Sequence, residues 1–173
     1  SQAESFLQAR GYSHSDKVLA DFGVGYAPMG NVAMRHLTGN GYDLELLKSV
    51  GVLGKSEDGR YYDFFRDRVM FPFYDLSGRV IAFSGRIVTP NDKTGKYVNT
   101  GETPIFRKGN HIFGLYQAKR AIGKEGFAYL VEGQFDVVTL HRYGIENVIG
   151  GSGTAFTDEQ VRLITRFTRD VVM

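Results

Sequence analysis

The sequence predicts an α/β protein, with an α+β amino-terminal region followed by a βαβαβ unit on a parallel sheet. Three observations carry this expectation. First, Phe127 to Val131 is a short, almost wholly apolar run of aromatic and branched residues, the pattern of a strand covered on both faces. Second, Gly133 permits a tight turn, and Phe135, Val138, Thr139 and Tyr143 follow at helical spacing with Gly144 as a stop. Third, the alternation repeats. Residues 145–149 are short and apolar, and the glycine-rich stretch 150–154 leads into Thr157-Asp158-Glu159-Gln160, where Thr157 can cap a helix and Gln160 holds the capping-box position. Val161, Ile164, Phe167 and Thr168 keep the helical period, and Asp170 to Met173 begins a further strand. Strands and helices in this order belong to a parallel sheet.

The region before it has a different texture. Short helical patterns at residues 3–10, 13–20 and 42–50 are separated by glycine-rich punctuation. From about Arg68 the pattern changes to strands. Residues 69–74 and 79–88, joined by the turn Leu76-Ser77-Gly78, read as a hairpin, with residues 92–95 as a polar loop after it. Pro72 argues for an edge position, because proline cannot donate to a ladder. Phe6, Leu7, Leu44, Leu47, Phe71, Phe73, Ile81 and Phe83 are the expected core. The break between the regions is expected in 122–126, where glycine and charge interrupt the apolar pattern, giving domains 1–122 and 123–173. There is no internal repeat and no low-complexity tract.

Composition bounds the function. A chain of 173 residues with 42% hydrophobic content can build one or two small cores, which argues against disorder. No apolar stretch is long enough to span a bilayer and no signal peptide stands at the start, so a soluble cytoplasmic protein without membrane partners is expected. With no cysteine there is no zinc ribbon. The net charge of +2 says little alone, but the arginines and lysines concentrate between Arg60 and Arg120. Salt-sensitive binding to phosphates is expected there.

Candidate chemistry centres on Glu132, a carboxylate at the end of an apolar strand. Ligands of open α/β sheets bind beyond the carboxyl ends of the strands. Asp136 falls at the start of the next helix, where a carboxylate accepts backbone N–H groups and orients the loop around Glu132. The loop at 150–154 either holds phosphate through its amides or is a tight connection without a Walker lysine. Arg86, Lys96, Asn99 and Lys108 cluster in sequence with Tyr97 and Phe106, a mixture suited to phosphate contacts and base stacking, although each alone is ordinary on a solvated surface. Arg107 and His111 have weaker claims. The histidines His14, His36, His111 and His141 lack metal-ligand spacing.

Glu132-Gly133-x-x-Asp136 resembles the glutamate motif of the Toprim domain, a Rossmann-like unit of primases, topoisomerases, repair proteins and nucleases. Upstream, Asp67 to Pro72, Gly78 to Arg86, Lys96-Tyr97-Val98-Asn99, Glu102 to Gly109 and Phe113-Gly114-Leu115-Tyr116 follow in an order that resembles the RNA-polymerase core of bacterial DnaG-type primase. The similarity extends from Ala3-Glu4-Ser5-Phe6-Leu7 and Gly25-Tyr26-Ala27-Pro28 to the final strand. It implies an enzyme that makes RNA primers on single-stranded DNA from ribonucleoside triphosphates. Glu132 would be the catalytic and metal-holding carboxylate for magnesium or manganese, Asp136 its support, and Arg86, Lys96, Asn99 and Lys108 the groove for template and nucleotide. Two departures are visible: Ser84-Gly85 stands where the family most often has two glycines, and Gln134-Phe135 where Tyr-Met is commoner. The family's Asp-x-Asp motif, a further acidic residue, its zinc-ribbon domain and its helicase-binding domain are not in this sequence, so an excised and inactive fragment is expected. A Toprim nuclease or repair protein, and a non-catalytic nucleic-acid-binding module, are the alternatives.

Overall fold

A computed structural model describes residues 2–90, 94–151 and 156–173, which form an antiparallel sheet, a small hairpin and a parallel sheet. The chain enters through α1 (Gln2–Gln8) and α2 (Lys17–Asp21). The latter is shorter than the expected helix at 13–20. Asp16 draws in the Ser13 N–H at 2.9 Å, closing a turn that competes with helix until Lys17. After β1 (Gly25–Ala27) comes a side unit of α3 (Val32–Gly39), α4 (Leu44–Ser49), β2 (Leu53–Lys55) and β3 (Tyr61–Asp63). Asp43 caps α4 locally, accepting from the N–H groups of Glu45 and Leu46. Helix α3 buries no residue and has no side-chain cap of its own. Its first turn is held by buried Asp63, whose carboxylate accepts from Ala33 N–H and Met34 N–H, both at 2.8 Å.

The expected hairpin forms from β4 (Arg68–Tyr74) and β5 (Val80–Ile87), and β6 (Tyr97–Asn99) extends it to a four-stranded antiparallel sheet of order β1-β4-β5-β6. Pro72 is therefore on an internal strand, contrary to the edge position its type suggested. Phe83, its partner on β5, gives its N–H and its C=O to Thr100, so Pro72 and Phe83 form a non-hydrogen-bonded pair. The proline nitrogen faces the other side, past the point where β1 pairing ends at Met70. On the outer face Arg68 is buried and donates to Gly85 O at 2.9 Å and Gly95 O at 3.1 Å. A Cβ at Gly85 would lie 2.8 Å from Phe65 and 2.9 Å from Arg68, so packing alone demands the glycine before Arg86.

A 3-10 turn (Lys108–Asn110) leads to α5 (Leu115–Glu125), then β7 (Phe127–Val131), α6 (Gln134–Arg142), β8 (Val148–Gly150), α7 (Asp158–Thr165) and β9 (Asp170–Val172). Pairing is parallel, in the order β8-β7-β9. Residues 122–126, expected as an interruption, are instead the last turn of α5 and its left-handed glycine cap. Ala118 and Ile122 of α5 and Ile164 of α7 pack on Ala128 and Ile149 on one side of the sheet, while α6 covers the other, as right-handed crossovers require. Strand β7 is not covered throughout: Tyr129 is 36% exposed. Of the expected core, Leu47, Phe71, Phe73 and Ile81 are buried, whereas Phe6, Leu7, Leu44 and Phe83 are half-buried. Residues 91–93 and 152–155 lie outside the described residues, and with them parts of the two loops anticipated above. No helix among the described residues is long and apolar enough to cross a membrane.

The inner face of the antiparallel sheet docks on α6. Phe71 meets Phe135 with ring centroids 4.8 Å apart, and Phe73 meets Phe113 at 5.4 Å. From the amino-terminal segment, Arg142 pairs with Asp16 at 3.2 Å and Tyr12 shares a hydrogen bond with Thr139 at 2.5 Å, fastening α1 and α2 to the same helix.

Asp63→Ala removes two charge-assisted bonds from a helix start at a buried position and is expected to cost about 2 kcal/mol, read as a shift in urea midpoint at constant slope. His141, whose Nε2–H donates to Val148 O at 3.0 Å, and His111 are both held below the ordinary histidine range by burial. Folding favours their neutral forms, so their contribution is complete above about pH 6.5 and is lost as pH falls through the lower folded values. Urea midpoints should fall between about pH 7.5 and about pH 5, with a shallower fall in the His111→Gln/His141→Gln double variant.

Candidate functional site

Glu132 follows the last residue of β7 at the carboxyl edge of the parallel sheet. Its side chain is exposed, and no hydrogen bond or ion pair among the described residues engages the carboxylate. Gly133 is extended and its N–H donates to Asp136 Oδ2 at 3.1 Å, so Asp136 ties the first turn of α6 to the residue after Glu132. Beside it, Gly151 N–H donates to Val131 O at 2.9 Å, which carries the pairing of β7 and β8 up to the level of Glu132. A Cβ on Gly150 would lie 2.8 Å from Val137, so this glycine lets α6 sit close against the strand end.

The facing wall comes from β5 and β6. In their register Ser84 lies opposite Asn99 and Arg86 opposite Tyr97, all on the inner face. Where that face is apolar, at Val69 and Phe71, it packs into the core. Where it is polar, at Arg86, Tyr97 and Asn99, it lines a cavity of about 520 Å³ together with Lys96 and with Glu132 and Asp136 opposite. Besides Gly133, the lining is completed by Arg10, Tyr12, Gln134, Phe135 and Thr139. Sequence reasoning missed these five as site residues; the only signal for Arg10 was its position four after Phe6. Its guanidinium lies 3.6 Å from the Phe6 ring centroid and donates to Phe6 O at 3.0 Å.

Electrostatically the cavity is mixed and uncommitted. Arg10, Arg86 and Lys96 face Glu132 and Asp136, yet no ion pair among the described residues joins any of these five. Burial, and after it the neighbouring Arg86 charge, lower the Arg10 pKa. Burial raises the Tyr97 phenol, keeping it neutral beneath Arg86, whose guanidinium carbon is 5.0 Å from the ring centroid. Arg86 Nε and Asn99 Oδ1 are buried with no hydrogen-bond partner among the described residues, as are Ser84 Oγ and Gln117 Nε2.

Lys108 stands apart. It is not among the residues lining this cavity but lies on the 3-10 turn beside the start of α7, its N–H donating to Glu102 and its C=O accepting from Gln160. The structure therefore gathers Arg86, Lys96 and Asn99 around Glu132 and leaves Lys108 elsewhere. As for a metal, the described residues contain no group of three or more His, Cys, Asp or Glu able to hold one. Glu132 fits as a single oxygen donor to magnesium, whose remaining positions would fall to water and phosphate oxygens.

Residues 1–119 match the family described as DNA primase catalytic core, N-terminal domain. The chain belongs to the DNA primase family. Residues 126–173 match the Toprim domain. The DNA primase of Escherichia coli strain K12 is 40% identical over 171 residues, 98% of this chain and 29% of that protein. Among solved structures, the zinc-binding and RNA polymerase domains of Aquifex aeolicus primase superpose with a TM-score of 0.89 at 40% identity, over 98% of this chain and 41% of that one. A DnaG primase catalytic domain bound to single-stranded DNA gives 0.87 at 38% identity, over 99% of this chain and 54% of that one. The chain thus spans less than a third of the Escherichia coli primase and about two fifths to a little over half of the solved chains.

Asp136→Ala should cost about 1 kcal/mol of stability through the lost helix-start bond. Hydrogen exchange of the Gly133 amide should speed up in that variant, while the β4–β5 amides stay protected.

Proposed function

We propose that this chain forms part of the polymerising core of a bacterial-type primase, an enzyme that joins ribonucleotides on a single-stranded DNA template to make primers. One observation carries the reading: a carboxylate at a sheet edge and a set of cations on a second sheet, with no ion pair to any of them among the described residues, face the same cavity. Nucleotidyl transfer needs that juxtaposition, because phosphates must be gripped by positive charge while the reacting hydroxyl gives up a proton next to a negative group. Residues 1–122 supply the basic wall in this proposal and residues 123–173 the acidic edge. Membership of the primase family favours it over a Toprim nuclease or a non-catalytic module.

In this reading Arg86 and Lys96 hold phosphate oxygens, and Asn99 presents its amide to a nucleotide. Lys108 makes a separate phosphate contact. Arg86 is the most strongly organised of these, since its stem is fixed on β5 and its guanidinium rests near Tyr97. Glu132 acts as a proton acceptor or as one oxygen donor to a divalent cation, magnesium or manganese, which would supply charge neutralisation at the transferring phosphate. Asp136 keeps the Glu132 turn in place through Gly133.

Fluorescence anisotropy of a labelled single-stranded oligonucleotide across a salt series tests the basic wall without requiring turnover. Three phosphate contacts give a slope of about −2 in log K against log salt, and Arg86→Ala or Lys96→Ala should each reduce its magnitude by about 0.7 while weakening binding. Glu132→Gln should bind as well as the parent or better, because it removes a negative charge. Equal losses in all three variants would contradict this division of roles.

A further inference from the structure

We infer that Gln160 is a positioning residue for Lys108, clamping the turn that carries it to the start of α7. This rests on the reading of Lys108 as a phosphate contact. Gln160 is 5% exposed and its side-chain amide is fully engaged. Its Nε2 donates to Lys108 O at 3.1 Å and to His111 O at 2.8 Å, while its Oε1 accepts from Thr157 N–H at 3.1 Å. Both amide protons and the carbonyl oxygen are therefore used, and no other side chain of this size offers two donors and an acceptor at one end.

Thr157 adds a second tie. Its Oγ1 accepts from Gln160 N–H at 3.1 Å and donates to Gly109 O at 2.5 Å. A capping box ordinarily satisfies only its own helix start. Here the same two residues also accommodate three carbonyls of a turn almost fifty positions earlier, those of Lys108, Gly109 and His111. On the other side of the turn, His111 stacks on buried Phe106 with centroids 5.4 Å apart, and Glu102 accepts the Lys108 N–H at 3.0 Å.

The arrangement has a geometric consequence. Arg86, Lys96 and Asn99 are carried by the antiparallel sheet, whereas Lys108 is carried by the 3-10 turn, which Thr157 and Gln160 bond to the start of α7. The end of β8 is itself paired with this segment, Gly150 N–H donating to Phe113 O at 2.9 Å. A strand of nucleic acid that touches both groups lies across the carboxyl edge of the parallel sheet, and Gln160 determines where its second anchor stands.

The test is a double-variant cycle on the whole 173-residue chain, using anisotropy of a short fluorescein-labelled thymidine oligonucleotide at low salt. Gln160→Met keeps length and apolar volume but loses all three side-chain bonds; Thr157→Val cuts the Gly109 tie together with the cap on the Gln160 N–H, leaves the Gln160 side chain in place and keeps shape. Each is expected to weaken binding about threefold in the parent and by less than about 1.5-fold in a Lys108→Ala background, because its effect runs through Lys108. In an Arg86→Ala background each should keep its full effect. The inference is overturned if the losses are as large without Lys108 as with it, which would mark general structural damage, or if neither variant weakens binding while Lys108→Ala does. Should Lys108→Ala itself bind like the parent while Arg86→Ala does not, the Lys108 contact fails and the inference with it, but the Arg86 wall stands.

Discussion

The contact between Phe71 on the antiparallel sheet and Phe135 on the first turn of α6 places the two halves of the candidate site relative to each other. Phe71 is fully buried, and its ring meets Phe135 edge to face. Burial of such a ring contributes about 2–3 kcal/mol, with about 1 kcal/mol more from the aromatic pairing. Phe135 lies three residues after Glu132, and Phe71 lies opposite Ser84 in the register that also presents Arg86. The docking that closes the core therefore also sets the spacing between carboxylate and cations.

That same register explains how one sheet face serves two purposes. Side chains alternate along a strand, so Val69, Phe71 and Phe73 share a face with Ser84, Arg86, Tyr97 and Asn99. The apolar members are covered by α6 and its neighbours, while the polar members lie where covering stops. A cavity results because a flat polar patch cannot be packed against an apolar helix without leaving its donors unpaired. Two of its polar atoms, Arg86 Nε and Asn99 Oδ1, are buried with no hydrogen-bond partner among the described residues.

The legible parts of the fold were those whose determinants are local. The capping box at Thr157 and Gln160 is a four-residue device, and both of its bonds form. The period of Phe135, Val138 and Thr139 and the stop at Gly144 define α6 within a residue or two. The hairpin of β4 and β5 was visible in its alternation and its turn. Helix α3 was not, because its first turn is held by Asp63, some thirty residues away. The short strands β1 and β6 were invisible for a related reason: three residues carry too little pattern, and each is a strand only because a long hairpin offers it an edge. Pro72 misled because edge and interior are properties of a whole sheet, while its missing donor matters only on one side of one residue.

The sequence by itself determined the alternation of strand and helix, the helix starts and stops, the carboxylate after an apolar strand, and the motif order that resembles a primase core, since each depends on neighbours within a few positions. Only the tertiary structure decided which of the candidate residues share a site. It brought Arg10 and Tyr12 from the segment between α1 and α2 to α6, joined Arg86, Lys96 and Asn99 to Glu132, and set Lys108 apart on a turn bonded to Gln160. Contacts between distant segments follow from the packing of aromatic faces and the register of sheets, which depend on the whole chain at once and leave no period or spacing in any one stretch of it.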